Sequence, residues 1–150
     1  MIQGNGTSRV EWPRVLRGAC AWAAVYGVVA ALGLYLFLAQ ELMGALAALG
    51  RPVRPSMGQM VSLLTFGLVF IVAYAIVAVW LYAAIRPRYG AGPRTALISG
   101  IVVWLLSVAA PVTHLAVFGV ASVRFVLMDL PAECILILVA SLVGARQYEK

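Results

Sequence analysis

Charge is scarce in these 150 residues: 11% are Asp, Glu, Lys or Arg, against roughly 25% in an ordinary soluble domain. Hydrophobic residues make up 64% of the chain, more apolar surface than one small core can bury, which excludes a soluble globule. A mean hydropathy of +1.01 excludes a disordered or collagen-like chain as well. The two cysteines, Cys20 and Cys134, are too few for a disulfide framework, and both lie in apolar stretches where each reads as a small buried hydrophobe. Cys20 stands at the start of its apolar run, whereas a lipid-attachment cysteine follows one. A single histidine and the absence of HExxH or CxxC spacing argue against a metal centre. No Ser/His/Asp arrangement has a supporting motif, and Ser99, Ser107 and Thr113 read as groups that bond helix carbonyls.

What the chain does have is long apolar runs. The net charge of +6 comes from cations that flank those runs, so the basic stripe of a nucleic-acid binder is missing and no nucleic-acid partner is expected. Gly18 to Gln40 contains no charge, and at about 1.5 Å per residue it spans roughly 30 Å of hydrocarbon. It is too long for the core of a cleavable signal and reads as a retained span. Glu41 closes it, and the stretch from Leu42 to the prolines of RPVRP reads as a short outer interfacial segment, because Pro52 and Pro55 stop any helix. Gly58 to Ile85, Ala96 to Val120 and Phe125 to Ala145 supply three further spans, the last two joined by a very short connection. The expected fold is all-α, a single domain over residues 1–150: an integral membrane bundle of four transmembrane helices, ending in a polar RQYEK tail.

Cations orient such a bundle, since positively charged loops are retained on the cytoplasmic side. Arg9, Arg14 and Arg17 of the N-terminal arm, Arg86, Arg88 and Arg94 of the second loop, and Arg146 and Lys150 of the tail fall on one side. Arg51, Arg54 and Arg124 fall on the other. Trp12, Trp80, Tyr82, Tyr89 and Tyr148 gather on the side richer in cations, where amphipathic rings favour the headgroup level. Both termini are therefore expected in the cytoplasm of a bacterial cell, with the protein in the inner membrane.

Two groups of residues are candidates for function. The first is an intramembrane polar cluster, His114, Asp129 and Glu133, with Glu41 at the outer surface. At about 1.5 Å per residue, His114 and Asp129 fall at similar depths in the outer half, close enough to meet. Glu133 follows Asp129 by one turn on the same face, and Pro131 between them leaves the Leu127 carbonyl without its usual donor. Charges inside hydrocarbon are costly and usually have a partner or water. The group is either a pathway for protons or small cations or a set of interhelical hydrogen bonds. The second candidate is RPRYGAGPRTAL, residues 86–97. Gly90 and Gly92 permit unusual backbone angles, Thr95 is placed to cap the third helix, and Arg86, Arg88 and Arg94 face the headgroups. That loop either holds a phosphate or an anionic lipid head or serves as a rigid turn whose arginines set topology. Small residues at four-residue spacing, Ala19, Ala23, Gly27 and Ala31, with Ala140 and Gly144, mark faces where helix backbones come close, within one bundle or between copies.

The same loop, the tryptophan of GIVVWLL, Glu133 and the VGARQYEK end together resemble a family of small uncharacterised bacterial four-span inner-membrane proteins. That family carries an RPR-aromatic-GxGP[KR]TA loop, a carboxylate in the last helix and a GAxxYx[EK] C-terminus. The resemblance covers about Trp80 to Lys150. It implies the four-span architecture and directs attention to Arg86, Arg88, Gly90, Gly92, Pro93, Arg94, Thr95 and Glu133, while implying no activity. The expected function is that of a non-catalytic membrane module that needs no cofactor or metal. Its expected partners are membrane lipid and, within the bilayer, a second copy or a larger membrane complex.

Overall fold

The computed structural model describes residues 10–33, 44, 47, 50 and 56–150. Glu41, the outer segment around Pro52 and Pro55, and the cations Arg9, Arg51 and Arg54 lie outside the described residues. The described chain is helical, with no strand, and contains four helices long and apolar enough to cross a membrane: α1 Trp12–Gly33, α2 Met57–Tyr89, α3 Pro93–Val117 and α4 Val123–Glu149.

Helix boundaries depart from the apolar runs because local chemistry sets them. α1 starts at Trp12, six residues before the uncharged stretch, with the Glu11 carbonyl accepting from the Arg14 and Val15 amides at 3.0 Å. α2 opens on a capping box in which Ser56 Oγ accepts from the Gln59 amide (3.3 Å) and Gln59 Oε1 accepts from the Ser56 amide (2.9 Å). It runs through Pro87 to Tyr89 instead of breaking at the RPRYGAGPRT stretch, although Pro87 has no amide for the Ala83 carbonyl, and Gly90, at φ 85°, ends it, so that only two helical residues follow the proline. α4 is capped by Ser122 Oγ, which accepts from the Phe125 amide at 3.1 Å. It continues helically through Glu149, so the residues expected as a polar tail belong to its last turns.

α3 is not a uniform helix. Leu105–Ala109 forms a π-helical segment, with the Ala110 amide donating back to the Leu105 carbonyl. Pro111 follows directly. A proline ring collides with the carbonyl four residues before it, here Ser107, and widening the preceding turn relieves that contact.

The helices form a ring in chain order. α1 packs on α2 and α4, α3 packs on α2 and α4, and α2 meets α4 across the shorter diagonal. Gly18 faces Gly144 while Tyr26 reaches Glu133, so α1 and α4 run antiparallel. The start of α1, the α2–α3 loop and the end of α4 share one end of the bundle, since Tyr82 touches both Glu149 and Gly92. Arg14, Arg17, Arg86, Arg88, Arg94, Arg146 and Lys150 therefore gather there, with Arg124 and His114 at the opposite end.

The core occupies the arginine-rich half: Val15, Ala19 and Trp22 of α1, Ala75, Val79 and Tyr82 of α2, Ala96 and Val103 of α3, and Ile137, Ala140 and Tyr148 of α4 are buried. In the other half the helices part. Leu63, Leu64, Phe66 and Phe70 of α2 are exposed, as are Leu106, Val117, Leu127 and Met128. Apolar side chains all round a helix suit lipid, so this half can open without the penalty it would bring in water.

Candidate functional site

Where the two halves meet, α1 and α4 diverge around a cleft of about 490 Å³ lined mainly by apolar residues, with Arg124, Asp129 and Glu133 among its walls. Asp129 is only 9% exposed, yet its carboxylate has no hydrogen bond or ion pair among the described residues. Glu133, one turn deeper, accepts a hydrogen bond from the Tyr26 hydroxyl at 2.9 Å. Tyr26 is stacked on Trp22 with centroids 5.0 Å apart and planes 17° from parallel. Trp22 in turn donates from Nε1 to Ser141 Oγ at 3.1 Å. The floor of the cleft is thus a run of polar contacts between α1 and α4, held from below by the packed core.

The expected cluster is brought together only in part. Asp129 and Glu133 share the cleft, with Arg124 at the end nearer the α3–α4 connection. His114 stands apart. It is exposed, its Nδ1 lies 2.7 Å from the Ala110 carbonyl of its own helix, and no bond or ion pair joins it to Asp129. A histidine at the last turn of a helix can satisfy a carbonyl locally, and the π segment resets which face of α3 it occupies. Glu41 lies outside the described residues. Near Pro131 the carbonyl that gains a side-chain donor is that of Leu130, which accepts from Trp104 Nε1 at 3.1 Å, and not that of Leu127. Ser99 bonds the Ala96 carbonyl as expected, at 2.8 Å, whereas buried Ser107 Oγ has no partner among the described residues. Cys20 is exposed and Cys134 half-buried, so neither is the buried small residue expected.

The arginine loop is a closed turn. Gly92, at φ 136°, is the residue before α3, and Thr95 sits one turn inside the helix. Thr95 therefore does not cap α3: its hydroxyl donates back to the Gly90 carbonyl at 2.7 Å. The Gly92 amide donates to Tyr82 Oη at 3.2 Å, and that hydroxyl donates to Glu149. Arg86 places Cζ 5.8 Å from the centroid of the Tyr148 ring, within reach of a cation–π contact. Arg88 and Arg94 remain exposed. Two of this loop's donors, the Gly92 amide and the Thr95 hydroxyl, are thus used inside the fold.

Tyr82 joins three elements through one hydroxyl, and Tyr82→Phe should release two of them. The expected result is a loss of about 1–2 kcal/mol of stability, with faster amide exchange confined to the Gly90–Gly92 turn and the last turn of α4. Unchanged exchange at both places would show that the hydroxyl does not tie them.

Compared with known proteins, the chain matches no family model, no curated sequence and no solved structure.

Proposed function

We propose that the chain is a bacterial inner-membrane protein with both termini in the cytoplasm, and that it acts as a non-catalytic binding module whose working part is the cleft between α1 and α4. The observation that carries this is Asp129, a residue 9% exposed whose carboxylate has no partner among the described residues and lines a cleft set in an apolar bundle. An unpaired charge at such a position is destabilising unless water or a ligand reaches it. The clustering of arginines at the end shared by both helix termini supports the orientation. Partners, a second copy or a larger membrane complex, meet the module inside the bilayer along the apolar halves of α2 and α3. A continuous proton or cation route through His114, Asp129 and Glu133 is the weaker reading: His114 stands apart, and below Glu133 the path meets Tyr26, Trp22 and the packed core.

Cysteine labelling tests location and hydration together. In a background with Cys20 and Cys134 replaced by Ala, a membrane-impermeant maleimide added to intact spheroplasts should label Ala132→Cys in the cleft. It should label Arg94→Cys only after permeabilisation, and should leave lipid-facing Ile135→Cys unlabelled. The reverse pattern for positions 132 and 94 would overturn the orientation. An Ala132→Cys that reacts only after denaturation would overturn the open cleft.

A further inference from the structure

The chemistry of the cleft is selective about its occupant. Its volume of about 490 Å³ falls within the range of small-molecule sites, about 300–1,000 Å³. Val29, Ala30, Phe125, Met128, Ala132 and Leu136 give it apolar walls. Along α4 the charges are ordered: Arg124 lies about 7.5 Å from Asp129 toward the open end, and Glu133 about 6 Å further in, at 1.5 Å per residue. Among the described residues, the inner part therefore presents two carboxylates and no cation. One Glu133 oxygen is taken by Tyr26, while both Asp129 oxygens are without a donor among the described residues.

When ionised, these carboxylates only accept hydrogen bonds, so a complementary ligand brings N–H or O–H donors, a cationic donor also offsets their charge, and an anion is repelled. A tightly held divalent ion is a poor match, because no group of three His, Cys, Asp or Glu side chains is placed to hold a metal among the described residues. The apolar walls would waste contacts on a hydrated ion and suit a hydrocarbon or aromatic body. Resting on the cleft reading above, we infer that this site binds a protonated organic amine: its ammonium donates to Asp129 and Glu133, and its apolar body lies against Phe125, Met128 and Ala132. The same ammonium chemistry has two sources, a free amphiphilic amine and the headgroup of an aminophospholipid.

The test uses the full chain in nanodiscs of phosphatidylcholine, whose headgroup has no N–H, and the fluorescent primary amine dansylcadaverine as probe. The wild type should bind it saturably. Asp129→Asn should weaken binding about ten- to a hundredfold, the effect of losing one charge-assisted hydrogen bond. Ala132→Trp fills the cleft while keeping both carboxylates, and should abolish binding. Ile135→Trp, on the lipid-facing side of α4 at 65% exposure, should bind as the wild type does. If Asp129→Asn does not fold, the contrast between the two tryptophan variants decides. Replacing part of the phosphatidylcholine by phosphatidylethanolamine distinguishes the sources: competition with the probe identifies a lipid ammonium, and unchanged affinity a free amine. Absence of saturable binding, or equal binding by wild type and Ala132→Trp, overturns the inference. If the amine is not held although cysteine labelling at position 132 succeeds, the ligand class is wrong and the open cleft stands.

Discussion

Gly18→Leu should leave little folded protein, whereas Gly27→Leu, nine residues along the same helix, should purify and melt as the wild type does. A Cβ at Gly18 would lie 2.7 Å from the Gly144 carbonyl oxygen and 2.8 Å from Val79 Cγ1. The first neighbour is backbone of α4, which no rotamer change can withdraw, and the second is a buried side chain of α2. Three helices meet at this point, so a larger residue must push α1 away from both partners. Overpacking in a core typically costs about 1–3 kcal/mol, and a clash with backbone belongs at or beyond the upper end. Gly144→Ala is the milder counterpart, since its Cβ would sit 3.1 Å from the Gly18 carbonyl oxygen and 3.0 Å from Val79 Cγ2. At Gly27 nothing lies within 4 Å. The measurement is the monodisperse fraction in mild detergent together with the midpoint of thermal unfolding. Indistinguishable behaviour of Gly18→Leu and Gly27→Leu would refute a backbone contact at Gly18.

That pair of glycines shows how far the sequence could be read. Runs of uncharged residues long enough for a bilayer left few alternatives to four helices, because hydrocarbon forces backbone groups to bond within each segment. The stripe Ala19, Ala23, Gly27 and Ala31 had the right kind of residue on α1 but ran off the contact. Ala19 is buried and Ala31 exposed, and the closest approach falls on Gly18, one position before the stripe begins. Alanine and glycine are so frequent here that several faces of α1 carry small residues, and only the partner helix selects among them. Helix ends were obscured for a different reason. Pro87 and Pro111 look like breaks, yet α2 ends only two residues past the first, and α3 passes the second behind a widened turn that takes its ring out of collision.

The candidate site was half legible. Asp129 and Glu133 stand out because carboxylates within apolar runs are rare, and their spacing of four places them on one face. Tyr26 and Trp22 carried no comparable signal, since aromatic residues are ordinary in a span. Their spacing of four, with Ala19 seven residues before Tyr26, does place them on one face of α1, the face that meets α4. His114 was drawn into the cluster by matching depth alone. Depth fixes position along the bilayer normal and says nothing about which way a side chain turns.

Trp22→Ala should be the most damaging change in the core that introduces no clash. Trp22 is 1% exposed and heads the largest fully buried side chains. Emptying so large a site costs about 3–5 kcal/mol in water-soluble cores. Here the unfolded helices remain in lipid, so the part of that cost due to transfer from water falls away, and about 2–4 kcal/mol of packing and hydrogen bonding is expected. The residue also connects two regions: its indole donates to Ser141 on α4, and its face supports the ring of Tyr26, whose hydroxyl holds Glu133. Trp22→Phe keeps an aromatic face for Tyr26 and loses the donor, so it should cost about 1 kcal/mol and leave the cleft in place. A double-mutant cycle of Trp22→Phe with Ser141→Ala isolates the hydrogen bond, for which a coupling of about 0.6–1.7 kcal/mol is expected. Zero coupling would mean that the indole and the hydroxyl stabilise the seam independently. In that case Trp22→Ala acts through lost volume alone, and the polar contacts running from Ser141 to Glu133 do not function as a unit.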